Sequence, residues 1–165
     1  MNCTDIIAIV SVVIDFIGII AGAGVAIWVV NSIQKKIDNL RSIKDHLINE
    51  IVDIRGLYRE MIKKTINGEY RPRDVKRQLR LLSARVTDLI SLTNAQFNNC
   101  VNRDFLLPYQ LDLNIMITYD ENFVNAFRNN AQFSLNANSQ NTLARFLAEK
   151  DHLFNELIII INKAQ

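Results

Sequence analysis

The chain has 165 residues and a formal charge of +2, which neither demands nor excludes an anionic partner. Its two cysteines, Cys3 and Cys100, are far apart in sequence, so neither a disulfide between them nor a metal cluster is expected. No GxxxxGKS/T, GxSxG, CxxC or HExxH pattern occurs, which leaves Walker-loop nucleotide hydrolysis, elbow-serine chemistry and zinc hydrolysis without support. No cofactor or metal is expected.

Residues 6–30 form a run of mostly apolar residues broken by one charge, Asp15. At about 1.5 Å per residue the run is long enough to cross a bilayer core with a little tilt. Spaced at about 100° per residue, Ala8, Ser11, Asp15, Gly18, Gly22 and Ala26 fall on one narrow face, while Ile7, Ile9, Val13, Phe16, Ile20 and Ile27 lie outside it. Gly18 and Gly22 make a GxxxG pair, the spacing that lets helix backbones approach closely in lipid. A carboxylate near the bilayer centre costs on the order of 2.5–3.5 kcal/mol, so Asp15 should meet protein or water rather than lipid. The expectation is a helix that associates with further copies into a homo-oligomer larger than a dimer. Its Ser11, Asp15, Gly18, Gly22 and Ala26 would face the assembly and line a pore; the plainer alternative is a simple anchor.

Orientation follows from charge. Residues 1–5 carry no Lys or Arg, whereas Lys35, Lys36, Arg41 and Lys44 follow the span, which places the N-terminus outside and the C-terminal part in the cytoplasm. A basic leader and a short apolar stretch, the marks of a cleaved signal, are missing, so the segment is expected to be retained. Trp28 suits the interface at the cytoplasmic end. The organisation is then a membrane-spanning helix over residues 1–31 and one helical domain over 32–165, a length that supports one core and not two.

A long helix is expected to continue from the span. Ile33, Ile37, Leu40, Lys44, Leu47, Ile51, Ile54, Tyr58 and Met61 alternate steps of four and three, and Ile43, Ile48, Leu57 and Ile62 widen this seam into a bundle face that must be buried. His46 lies beside the stripe and reads as a solvated residue. Asn67, Gly68, Arg71 and Pro72 mark a turn. A second helix over 73–97 would bury Val75, Leu79, Leu82, Val86 and Leu89 and present Arg73, Lys76, Arg77 and Arg80 on its other side. With Arg71 these make the densest basic patch, suited to RNA phosphates, to anionic headgroups, or to water alone, since no aromatic residue interleaves to stack bases.

Residues 98–107 read as a loop, and Pro108 opens a third helical stretch to about Phe133, with a break suggested by Asp120 and Asn122. Leu111, Ile115, Ile117, Phe123, Phe127 and Phe133 are its expected core contribution. Residues 134–141 read as a connection, with Asn141 or Thr142 capping a last helix over 142–162. In that helix Leu143, Leu147, Leu153, Phe154, Leu157, Ile158 and Ile161 make the buried side, and Arg145, Glu149, His152 and Glu156 the opposite one. The coarse result is all-α, four to five antiparallel helices with the first fused to the anchor.

Arg145 and His152 are two helical turns apart on one face. A guanidinium and an imidazole so placed can bind a phosphodiester and move a proton during cleavage of RNA at the 2′-hydroxyl. Two i,i+4 pairs, Arg145 with Glu149 and His152 with Glu156, are the plainer reading of the same residues.

An all-helical domain whose last long helix carries an arginine and a histidine with four to six residues between them resembles the HEPN superfamily. Here the matching run is Arg145-Phe-Leu-Ala-Glu-Lys-Asp-His152. In HEPN RNases two copies of the motif meet across a dimer interface to form one site. Phe146 departs from active members, which often carry a polar residue at that place, so the resemblance implies a divergent motif serving assembly or control. Joined to a membrane helix, the whole arrangement looks like the small membrane-associated accessory proteins of type VI-B CRISPR–Cas systems. That resemblance implies a pore-forming effector of the bacterial inner membrane that enhances antiviral defence beside an RNA-guided CRISPR RNase. The alternatives are a membrane-tethered RNase using Arg145 and His152, and a tethered scaffold with neither activity.

Overall fold

The computed structural model describes the helical course of residues 3–164 and the side chains of residues 25–164. Among the described residues all regular secondary structure is helical, in the order α1 (Cys3–Ile66), α2 (Pro72–Gln96), α3 (Leu107–Thr118), α4 (Glu121–Phe127), α5 (Ala137–Lys150) and α6 (His152–Lys163). None of these helices is, over the described residues, long and apolar enough to cross a membrane. Most of the expected span, including Ser11, Asp15, Gly18 and Gly22, lies outside the described side chains. Two compact units are present, Met1–Ile43 and Lys44–Gln165.

In the first unit every described side chain from residue 25 to 39 is exposed, among them Trp28 at 69%. Ile33 and Ile37, expected to lie in a buried seam, are 54% and 57% exposed. The seam closes only in the second unit, where Leu47, Ile51, Ile54, Tyr58, Met61 and Ile62 are buried. The reason is local supply: from Leu47 onward the other helices of the bundle cover the α1 stripe.

The turn after α1 uses Gly68 at φ +73, a left-handed conformation that glycine adopts without strain. Pro72 then starts α2, where its missing N–H costs nothing, and Arg71 is the extended residue before it. Val75, Leu79, Leu82, Val86 and Leu89 are the buried side of α2. At its far end Asn98 and Asn99 take positive φ, and the Asn94 side chain pins the following loop: its Nδ2 donates to the Val101 carbonyl at 2.8 Å and its Oδ1 accepts from the Val101 N–H at 2.9 Å.

The third helical stretch is divided and shorter than its apolar pattern suggests. Asp120 separates α3 from α4: its Oδ1 accepts from the Phe123 N–H at 3.2 Å and its Oδ2 from the Asn136 N–H at 3.1 Å. Helix ends at Phe127, and Asn130 at φ 49 carries the chain into an extended connection in which Phe133 is buried. The core residues of α3 are Tyr109, Leu113 and Ile117, four apart, while Leu111 and Ile115 lie outward at 49% and 51% exposure. Both had been expected inside. Apolar residues occur on both sides of this helix, so periodicity alone could not select the buried one.

The last helix is also two. Asn136, not Asn141 or Thr142, is the cap: its Oδ1 accepts from the Ser139 N–H at 2.8 Å. Thr142 lies inside α5, its hydroxyl donating to the Asn138 carbonyl at 2.9 Å. Asp151 is the junction between α5 and α6, its N–H still donating to the Leu147 carbonyl at 3.1 Å. The bundle centre is aromatic: Tyr109 packs against Tyr58, Phe146 and Phe154 with centroid separations of 5.4, 4.9 and 5.1 Å. The C-terminus of α6 is fastened by Lys44, whose Nζ donates to the carbonyls of Asn162 at 2.9 Å and Ala164 at 2.7 Å, a cation where the helix dipole is negative.

Candidate functional site

Arg145 and His152 stand on successive helices, both exposed, on either side of the Asp151 junction. His152 Nε2 lies 3.6 Å from Glu156 Oε1, one of the two surface pairs expected. Arg145 has no ion pair among the described residues, so the pairing with Glu149 is not formed. Both motif side chains are therefore open to solvent. Such a pair can bind phosphate only weakly by itself, because water screens exposed charges.

Phe146, between the two motif residues, faces inward. It is 4% exposed and packs on Tyr109, so the position serves the core. A polar side chain there would enter the aromatic cluster.

The most constrained charged group of this region is one that spacing did not single out. Asp151 is 8% exposed. Its Oδ2 accepts from Arg55 Nε at 2.9 Å and also from Nη2 of Arg55 and Nη2 of Arg59, while Arg55 Nη1 donates to Asn155 Oδ1 at 3.0 Å. Burial would raise the carboxyl pKa, but the two guanidiniums outweigh it and hold Asp151 below the usual carboxylate range. Its Oδ1 is buried and unpartnered. Nearby, burial first and the Asp151 charge second push the Tyr109 phenol well above its ordinary range. This clamp fixes the start of α6, and with it the backbone that carries His152, to α1. The sequence signal was slight: Arg55 and Arg59, one turn apart on α1, and an aspartate directly before the histidine.

The basic patch is built much as its spacing indicated. Arg73, Lys76, Arg77 and Arg80 are exposed on α2 and line an open groove of about 560 Å³ together with Leu81 and Phe127. Arg71 precedes the helix and does not line it. Arg77 is partly neutralised by Asp74 at 3.2 Å. The absence of an aromatic residue is corrected by the fold. Phe127, expected in the core, is 37% exposed, and Lys76 Nζ sits 4.4 Å from its ring centroid. The stub helix α4 brings that ring to the α2 face, giving the groove an aromatic surface beside its cations.

No family model, curated protein or solved structure matches this chain.

Of the residues expected to face a pore, Ala26 alone has a described side chain, and it is exposed. The side chains of Ser11 and Asp15, and the surroundings of Gly18 and Gly22, lie outside what is described. No cluster of three or more His, Cys, Asp or Glu side chains placed to hold a metal occurs among the described residues. The structure thus offers three chemically distinct surfaces: an exposed Arg145–His152 pair, a basic groove on α2, and an uncovered apolar stretch on α1.

Proposed function

We propose that the protein is a membrane effector that assembles through its N-terminal helix, with the bundle of Lys44–Gln165 as its cytoplasmic part. The observation that carries this reading is the run over residues 25–30. All six side chains are exposed and all six are apolar, with Val25 at 61%, Ile27 at 62% and Trp28 at 69%. Burying one such side chain is worth about 1.5–3 kcal/mol, so a contiguous set left in water needs another environment. Lipid suits residues 25–30 because they are apolar on every side of the helix, and the preceding apolar residues supply the length for a span.

The next residues favour several copies over one. Ile33 and Ile37 are four apart, and polar or charged residues surround them on the helix. A narrow stripe of this kind suits another helix rather than lipid. In the upstream segment, Ser11, Asp15, Gly18, Gly22 and Ala26 share one face, which supports a ring whose interior carries the one charged residue of the span. Function would then be passage of ions through that ring, lowering the membrane gradient. The resemblance to type VI-B accessory proteins supports antiviral defence as the setting and an RNA-guided RNase as the functional partner.

Light scattering on detergent-solubilised protein, corrected for bound detergent, tests the assembly. A discrete mass well above a dimer is expected, and monomer or dimer alone would remove the pore. Asp15→Leu should alter permeability of cells or liposomes while the bundle melts as before; unchanged permeability would remove this face from the conducting path.

The tethered-RNase reading draws support from one fact, that Arg145 and His152 are both accessible to a second copy. Cleavage of RNA by purified protein, lost in His152→Ala, is its test.

A further inference from the structure

The exposed cations of α2 work against their own helix. Arg73, Lys76, Arg77 and Arg80 stand three or four places from one another, so each neighbours a like charge on the helix surface, a destabilising arrangement. Relief within the chain is slight. Asp74 reaches Arg77 at 3.2 Å, and Arg73, Lys76 and Arg80 form no ion pair among the described residues. No carboxylate lines the groove beside them. Packing does not require the four cations either, because all four residues are exposed.

A second observation is independent of charge. Phe127 is 37% exposed, although Phe123, with which it stacks at a centroid separation of 5.9 Å, is buried. The chain just after α4 is tied to the first turn of α2 by Asn130, whose Oδ1 accepts from the Arg73 N–H at 3.2 Å. The Phe127 ring therefore lies at the row of cations rather than inside the bundle, with Lys76 Nζ 4.4 Å from its centroid. Together with Leu81 it gives the open groove an apolar part directly beside its charge.

We propose that this groove binds a single-stranded nucleic acid, with phosphates along Arg73, Lys76, Arg77 and Arg80 and a base against Phe127. Residues four apart on a helix are separated by about 6 Å along its axis, a step comparable with that between neighbouring phosphates of an extended strand. One row of cations can thus follow one backbone. The arginines supply planar donors for phosphate oxygens, and a base of any identity stacks on an aromatic ring. A lipid headgroup presents a single phosphodiester and engages the row only in part. An acidic peptide brings charge without a flat ring at each step. A duplex keeps its bases stacked inside and leaves Phe127 unused. Arg145 and His152 take no part, so the assignment is independent of RNA cleavage and of membrane insertion.

Fluorescence anisotropy of the full chain in neutral detergent, with short labelled oligouridylate and oligothymidylate as probes, tests it. Equal affinities would assign the phosphodiester backbone that both share, and a preference for oligouridylate would assign RNA; either supports the groove. The logarithm of the affinity should fall with that of the salt concentration with a slope of about −2 to −3, the value for three or four neutralised phosphates of a single strand. Arg80→Ala and Lys76→Ala should each weaken binding about fivefold and flatten the slope by about 0.7. Phe127→Leu, which keeps an apolar side chain against Phe123, should weaken binding about tenfold with the slope unchanged, the loss of one stacked base. Asp74→Asn releases Arg77 and should tighten binding about twofold.

No binding of either oligonucleotide at low salt would overturn the assignment. So would affinities unchanged in Arg80→Ala and Lys76→Ala, or a Phe127→Leu variant that binds like the parent. Polyglutamate or phosphatidylglycerol micelles that displace the probe at equal charge concentration would also overturn it, and would give the groove to an acidic protein segment or a headgroup. If Phe127→Leu does not fold, the variants of exposed Arg80 and Lys76 still decide the question.

Discussion

Arg55 and Asp151, 96 positions apart, are joined by two hydrogen bonds from one guanidinium to a single carboxylate oxygen, from Nε at 2.9 Å and from Nη2. Arg59 adds a third donor to the same atom. Because the carboxyl is held below its usual range in the folded protein, its stabilisation is complete above the unfolded carboxylate's titration and is lost as pH falls through the folded value. Asp151→Asn should lower stability by about 2 kcal/mol, less than for a fully buried pair because the Arg59 side chain is 54% exposed. Urea unfolding at neutral pH should show that loss. Repeated in acid, below the ordinary aspartate pKa, the difference between parent and variant should shrink; a constant difference would mean that the charge of Asp151 contributes nothing.

Phe146 offers a contrasting expectation. Phe146→Ser removes a ring packed 4.9 Å from Tyr109, and large-to-small changes of this kind cost about 3–5 kcal/mol. Thermal unfolding should show a large drop in Tm, with no RNA-cleaving activity gained. A variant as stable as the parent would show that the aromatic cluster is not the centre of the fold.

Arg145→Ala and His152→Ala should each leave stability within about 0.5 kcal/mol, since both side chains are exposed and the one ion pair, His152 with Glu156, is a surface pair at 3.6 Å. This neutrality makes them clean probes. Any loss of RNA cleavage or of assembly then reports on function directly.

Ile33 and Ile37 provide a test of the uncovered stripe. The double substitution Ile33→Asp and Ile37→Asp should reduce the mass of the detergent-solubilised assembly while the bundle's melting temperature stays unchanged, because neither residue is buried in this chain. An assembly of undiminished size would show that the stripe does not join copies.

Much of the architecture was legible before any coordinates. The stripe of α2 and the α1 seam from Leu47 onward were readable because one helical face is apolar and the other is charged, which leaves one way to bury them. The turn at Gly68 and Pro72 was readable for a local reason as well, since glycine admits the left-handed backbone that a turn needs and proline fixes its own φ and cannot continue a helix. Elements failed where more than one face was apolar or where a side chain from elsewhere decided. Helix α3 has leucines and isoleucines on both sides, so Leu111 and Ile115 were assigned inward although Tyr109 and Leu113 hold that position. The start of α5 was misplaced because Asn136, Asn138 and Asn141 all have capping chemistry, and only Asn136 has the extended backbone that a cap requires.

The candidate sites divide along the same line. The basic run on α2 and the Arg145–His152 spacing belong to single stretches of helix, so composition and period locate them. Sequence by itself determined the all-helical class, the basic face and the long apolar N-terminal run, because these depend on residues three or four places apart. Only the tertiary structure could pair Arg55 and Arg59 with Asp151 and bring Phe127 beside Lys76. Those contacts join helices distant in the chain, where packing geometry and not periodicity selects the partner.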